Sequence, residues 1–228
     1  VDKCGRPPET RAPDGRYAGT HEGRSFHKDW GNGKDCYQVG ISLGGGASSP
    51  IVGGNLVFPA TNYRSYEVHE DNPEKVVFVL HYPEWEADGG RIALDKKVTV
   101  VPNTYFFKAE DTYTFSGFPG DTLSIAAGIS LHKDLGTVAS EYSDSRSCAI
   151  WEKASDQAQE KEDGMIGVAV VMPDAGWVGT TADGSHLVCT RTIRSGESVT
   201  YWFGNCWSKG SIKTPAKWFH LTANLLPE

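Results

Sequence analysis

The stretch Val76-Val77-Phe78-Val79-Leu80-His81-Tyr82 decides the fold class of this chain. Its β-branched and aromatic side chains suit a pleated, half-buried surface, and Asn72-Pro73 before it and Pro83 after it mark its ends. Alternation along a strand sends Phe78, Leu80 and Tyr82 to one face and Val77, Val79 and His81 to the other. Asp88-Gly89-Gly90 then reverses the chain into residues 91–94 and 97–101, because Asp-Gly between apolar runs is a hairpin signal. Residues 36–43, 56–58 and 65–69 upstream repeat the style, as do 105–108, 113–116, 122–131, 166–172, 186–193 and 198–203 downstream. Strands recurring roughly every 8–15 residues with no helices between them specify an all-β fold, a large antiparallel β-sandwich or a barrel. The polar run 151–163 reads as a surface loop or a short exposed helix. One helix is predicted near the end. Thr214 caps it, Pro215 fits its first position, and Trp218, Leu221, Thr222 and Leu225 share a face before Pro227.

Composition narrows the function classes. The 228 residues are 39% hydrophobic and 22% charged, enough to bury a core. Residues 1–25, rich in Gly, Pro, Arg and Glu, read as an extended arm, and 26–228 as a single β-sandwich domain. The net charge of −7 and the lack of a basic run argue against a nucleic-acid partner. No apolar stretch approaches the ~18 residues that span a bilayer, so no membrane partner is expected. A chain opening on Val1 rather than Met reads as processed or cut from something longer. The five cysteines, at 4, 36, 148, 189 and 206, form no C-x-x-C pair, which argues against a zinc ribbon. Cys189 and Cys206 lie in two strand-like runs joined by Arg194-Ser195-Gly196-Glu197, so they could face each other across a hairpin, while the pairing of the cysteines stays open.

The chemistry-bearing residues concentrate in His27-Lys28-Asp29-Trp30-Gly31-Asn32-Gly33-Lys34-Asp35-Cys36-Tyr37, which runs on toward Gly44-Gly45-Gly46. His27, Asp35 and Tyr37 are candidate acid/base groups, and Asp29 and Trp30 candidate sugar contacts; Asp29 and Asp35 equally suit capping of the loop's own amides. The spacing of Asp29, Asn32 and Asp35 does not match a calcium loop, so no cofactor is assigned, with a divalent cation kept as a lesser alternative. His81 is a candidate cleft residue with Trp85 at its rim. His132, at a strand end, is a candidate base, with Glu141-Tyr142 and Trp151-Glu152 as weaker candidates nearby. Trp207 is a candidate stacking surface, and Lys209 a candidate partner for a carboxylate. No nucleophile elbow, P-loop or H-E-x-x-H occurs.

Several segments in order resemble a known family. The spaced pattern across residues 29–46, the strand through Tyr82 toward Trp85, and Ala126-Ala127-Gly128-Ile129-Ser130-Leu131-His132 are similar to the domain of unknown function 4861 family. So are residues 164–171 and 199–210, followed by the Trp218 helix. The resemblance implies a galactose-mutarotase-like sandwich that holds sugars on a concave sheet. It also implies a secreted or periplasmic setting beside pectin-degrading enzymes. Family members extend further at the N-terminus, so the sandwich is expected to be incomplete on that side, with another chain a candidate source of the missing strands. The implied partner is a polysaccharide or oligosaccharide. Read together with these residues, the expected activity is cleavage of an acidic, pectin-type polymer. Hydrolysis, with Asp35 as first carboxylate, is slightly favoured because acidic groups outnumber basic ones in the loop; the other route is β-elimination, with His132 or Tyr37 as base and Lys209 or Lys34 as cation. The alternatives are a non-catalytic binding protein with Trp30, Trp85 and Trp207 as its platform, and a sugar mutarotase or epimerase.

Overall fold

The computed structural model describes Tyr37 and residues 39–142, 146–154 and 163–225. Along these run β1 (Gly45–Val52), β2 (Asn55–Leu56), β3 (Ser65–Asp71), β4 (Val76–Ala87), β5 (Gly90–Val100), β6 (Phe106–Ser116) and β7 (Thr122–Ser130). There follow β8 (Val138–Tyr142), β9 (Ser147–Lys153), β10 (Met165–Val171), β11 (Trp177–Thr180), β12 (His186–Arg194), β13 (Ser198–Trp207) and α1 (Pro215–Ala223). They form two antiparallel sheets, an eight-stranded one in the order β3-β4-β5-β6-β13-β10-β9-β8 and a five-stranded one in the order β11-β12-β7-β1-β2. The fold is an all-β sandwich with, among the described residues, one short C-terminal helix.

The strong strand extends further than its prolines suggest. β4 runs through Pro83 because the register with β5 shifts between Tyr82 and Trp85, and at such a bulge a missing N–H breaks no ladder bond. The shift also turns Trp85 inward opposite Ile92, and both are core residues. Asp88 and Gly89 both have positive φ, 47° and 79°, as the two-residue hairpin to β5 requires.

Upstream, residues 39–44 are a loop and the first strand begins at Gly45, later than the sequence pattern places it. Gly40 and Gly44, each at φ 53°, bend that loop, and Leu43 accepts the amides of Gly46 and Ala47. At the other end of the pattern, residues 151–153 are strand rather than surface loop, with Trp151 and Glu152 buried; residues 155–162 lie outside the described set.

The core lies between the sheets, built from Leu94, Tyr113, Tyr201, Val168 and Ile150 on the large sheet and Ile125, Ile129, Leu187 and Ile193 on the small one. A second cluster lies on the outer face of the large sheet, where α1 docks. Trp218 is fully buried there and stacks on Phe106 at 5.5 Å. Gly167 admits this contact, since a Cβ there would come within 2.7 Å of the Trp218 ring. Thr214 accepts the Lys217 amide and Asn224 closes the helix. Cys189 and Cys206 do not meet. The chain crosses between sheets after β12, so Cys189 points into the core while Cys206 lies under α1, where burial pushes its thiol up to about 12.

Candidate functional site

The end of β7 gathers the polar groups. Tyr37 lies edge-on to His132, with ring centres 4.8 Å apart, and its phenol is shared between the carbonyls of Gly44 and Ser130, each at 3.2 Å. His132 reaches across the sandwich to β9, where its Nδ1 lies 2.7 Å from Oε1 of Glu152. Thr137 donates to Oε2 of the same carboxylate, also at 2.7 Å. Glu152 is fully inaccessible, whereas the His132 side chain keeps 15% of its surface exposed. A buried carboxylate needs such partners, because leaving it unpaired costs several kcal/mol, on the order of 3–5. The pairing also sets the chemistry of the imidazole. Facing an ionised Glu152, Nδ1 is the donor of this pair, and in the neutral ring the lone pair is then on Nε2.

His132 lines a cavity of about 1080 Å³ on the outer side of the small sheet. Val39, Ile41, Leu56 and Phe58 make its apolar wall, and Trp177 stands 51% exposed in it. The Trp177 indole rests on Gly179, where a Cβ would come within 2.3 Å of the ring. His186 also lines the cavity, but its ring is fully engaged. Nε2 accepts the Leu43 amide at 3.2 Å, and Nδ1 donates to Ser185 Oγ at 2.6 Å, which donates in turn to Asp183. Burial holds His186 below the usual histidine range, opposed in part by Asp183. Hydrogen bonds from Ser185 and Thr181 hold the Asp183 carboxyl well below the usual carboxylate range.

Trp207 and Lys209 belong to the same end of the molecule. Glu152 pairs with Ile166, which pairs with Trp207, so Glu152 and Trp207 share one face two strands apart, ~9–10 Å. The Trp207 indole donates to the Asp163 carbonyl at 2.6 Å, and Lys209 Nζ sits 5.0 Å from its ring centre and 3.8 Å from Asp163 Oδ1. The remaining candidates are elsewhere. His81 is on the outer face of the large sheet, 2.7 Å from Asp95 and 3.6 Å from Glu67. Trp85, expected at a cleft rim, is a core residue only 6% exposed, and so cannot serve as a stacking surface. His27, Asp29, Trp30 and Asp35 lie outside the described residues. Among the described residues, no three His, Cys, Asp or Glu converge as metal ligands. No helix among them is long and apolar enough to cross a membrane.

A second polar cluster carries no signal in the sequence. Lys96 on β5 binds both oxygens of Asp111 on β6, at 3.2 and 2.9 Å, and the Tyr201 hydroxyl on β13 at 2.6 Å. Ser48, from the small sheet, donates to Asp111 and contacts the Tyr113 hydroxyl at 2.7 Å. Burial, with Asp111 beside them, raises Tyr113 and Tyr201 well above the usual phenol range. Asp95, Lys96 and Lys97 are consecutive charges on β5, and only the pairing of four distant segments reveals that Lys96 turns inward. Asp111 at the cluster's centre lies three strands, ~14 Å, across and ~26 Å along the sheet from Glu152, so the two are separate centres.

Fold and site together define an antiparallel two-sheet sandwich protein with a histidine–carboxylate pair beside an aromatic-walled cavity. The domain of unknown function (DUF4861) matches residues 9–225, and the chain belongs to that family. It is similar to Uncharacterized protein P7 of Formosa agariphila, with 25% identity over 200 residues that cover 85% of this chain and 47% of that protein. The chain thus spans about half the length of the curated relative it matches. Among solved structures it is similar to the GH36 alpha-galactosidase AgaA of Geobacillus stearothermophilus. That match has 11% identity and TM-score 0.31, and covers 91% of this chain and 35% of that one.

Proposed function

We propose that the chain is the carbohydrate-handling part of an enzyme that cleaves an acidic, pectin-type polysaccharide by β-elimination, with His132 as the base. The observation that carries this reading is the buried Glu152 carboxylate holding His132 at 2.7 Å on the wall of the 1080 Å³ cavity. In elimination the base removes the proton on the carbon next to the uronate carboxyl. The glycosidic C–O bond at the adjacent carbon then breaks, a C=C bond forms, and the leaving oxygen takes a proton. A base oriented by a carboxylate fits the first step. Lys209 is the cation assigned to the uronate carboxyl. Tyr37, its phenol bound to main-chain carbonyls, braces the His132 ring. Hydrolysis would call first on Asp35, which lies outside the described residues; what supports elimination is the His132–Glu152 pair itself. Trp177, half exposed on the cavity wall, also supports a second reading in which the protein binds sugar without cleaving it.

The test is mass spectrometry of products from a panel of pectic and other acidic polysaccharides. Unsaturated products, with no water added, are expected. His132→Ala should lower their rate about 10²–10⁴-fold while leaving polymer binding intact. Glu152→Gln should give a smaller loss with a shifted pH profile. Hydrated products would move the assignment to hydrolysis. Binding lost in Trp177→Ala, with no product from any polymer, would establish the binding reading instead.

A further inference from the structure

We propose that Cys148 and Cys189 form a disulfide that ties the two sheets together, closed by thiol–disulfide exchange as the chain folds. Cys148 on β9 and Cys189 on β12 enter the core from opposite sheets, both at 0% exposure, with their sulfurs 3.9 Å apart. β9 and β12 bring Cα atoms within 8 Å of one another, and disulfides span Cα separations up to about 7 Å. Closing the gap to a bond of about 2.05 Å moves each sulfur by roughly 0.9 Å, which a small side-chain rotation and a slight approach of the strands supply. Two contacts given up are weak: Cys148 Sγ donates to the Leu187 carbonyl at 3.7 Å and Cys189 Sγ to that of Arg146 at 3.5 Å. Cys206 does not compete in the folded chain, because it lies on the far face of the large sheet under α1.

The oxidant is a disulfide, on a protein or a small molecule. The thiolate of one cysteine attacks it and releases one donor thiol. The second cysteine then attacks the mixed disulfide and releases the other. The S–S bond passes from donor to protein, and both protons end on the donor's two thiols. Since both sulfurs are sealed from solvent once the sheets meet, exchange belongs to the folding chain.

The test refolds the reduced, unfolded chain with mixed oxidised and reduced glutathione, alkylates remaining thiols, and maps tryptic peptides without reduction. The expected map joins the peptide of residues 147–153 to that of 162–191, while the peptide of 195–209 carries an alkylated Cys206. The same link should appear in Cys206→Ala and in protein made in an oxidising periplasm without refolding. Closing this 41-residue separation should raise Tm by roughly 5–12 °C over the reduced protein. Alkylation of both Cys148 and Cys189 in the oxidised samples, or linkage of either to another cysteine, would overturn the proposal.

Discussion

His186 shows how one buried ring sets a pH response. With Nε2 already accepting from Leu43, a second proton breaks that bond, and burial further disfavours the charge. Its folded-state pKa therefore lies below the ordinary 6.5 that it regains on unfolding. The sign follows: the stabilisation is fully present above that ordinary value and is lost as pH falls through the depressed one, because the unfolded chain takes up the proton first. Thermal unfolding should show Tm dropping below about pH 6.5, with a smaller drop in His186→Gln, whose side chain cannot titrate there. An equal slope in both proteins would mean that another group carries the response. Nothing in the residue's sequence setting separates His186 from His132, since both stand at a strand end. Partners more than 100 positions away for one, and on β9 for the other, give them different work.

At the scale of the element, Gly46 holds the entry of β1. Its φ of 123° is unfavourable for any side chain, and a Cβ there would come within 2.3 Å of Phe203 on β13. Gly46→Ala should cost about 2–4 kcal/mol in a denaturant melt, by backbone strain and overpacking together. A loss below ~0.5 kcal/mol would show that β1 and β13 separate readily. The helix N-terminus is a milder case: Thr214→Ala should cost ~1 kcal/mol, because only the Lys217 amide loses its acceptor. That helix was legible from Thr214-Pro215 because capping is local chemistry. β9 was not, because Glu152 reads as a surface residue until His132 and Thr137 arrive from another part of the chain.

For the whole molecule, the Lys96–Asp111 centre joins three strands of the large sheet to β1 of the small one. Asp111→Ala leaves the buried ammonium without its counterion and should cost about 3–5 kcal/mol, measured by chemical denaturation. Replacing the pair together, Asp111→Leu with Lys96→Met, should recover most of that loss, since neither charge then stays buried alone. If the double variant is as unstable as the single one, the cluster is held by its hydroxyls rather than by its charges.

Local order in the sequence determined the all-β class, the hairpin at Asp88-Gly89, most strand positions and the capped helix. Each of these rests on alternation, turn chemistry or capping within a few residues. Only the tertiary structure decided that Trp85 is core, that Cys189 meets Cys148 rather than Cys206, and that Glu152 and Asp111 are buried charges. The reason is physical. Burial and pairing are properties of two sheets meeting, and the partners lie on strands distant in the chain, where no spacing rule connects them.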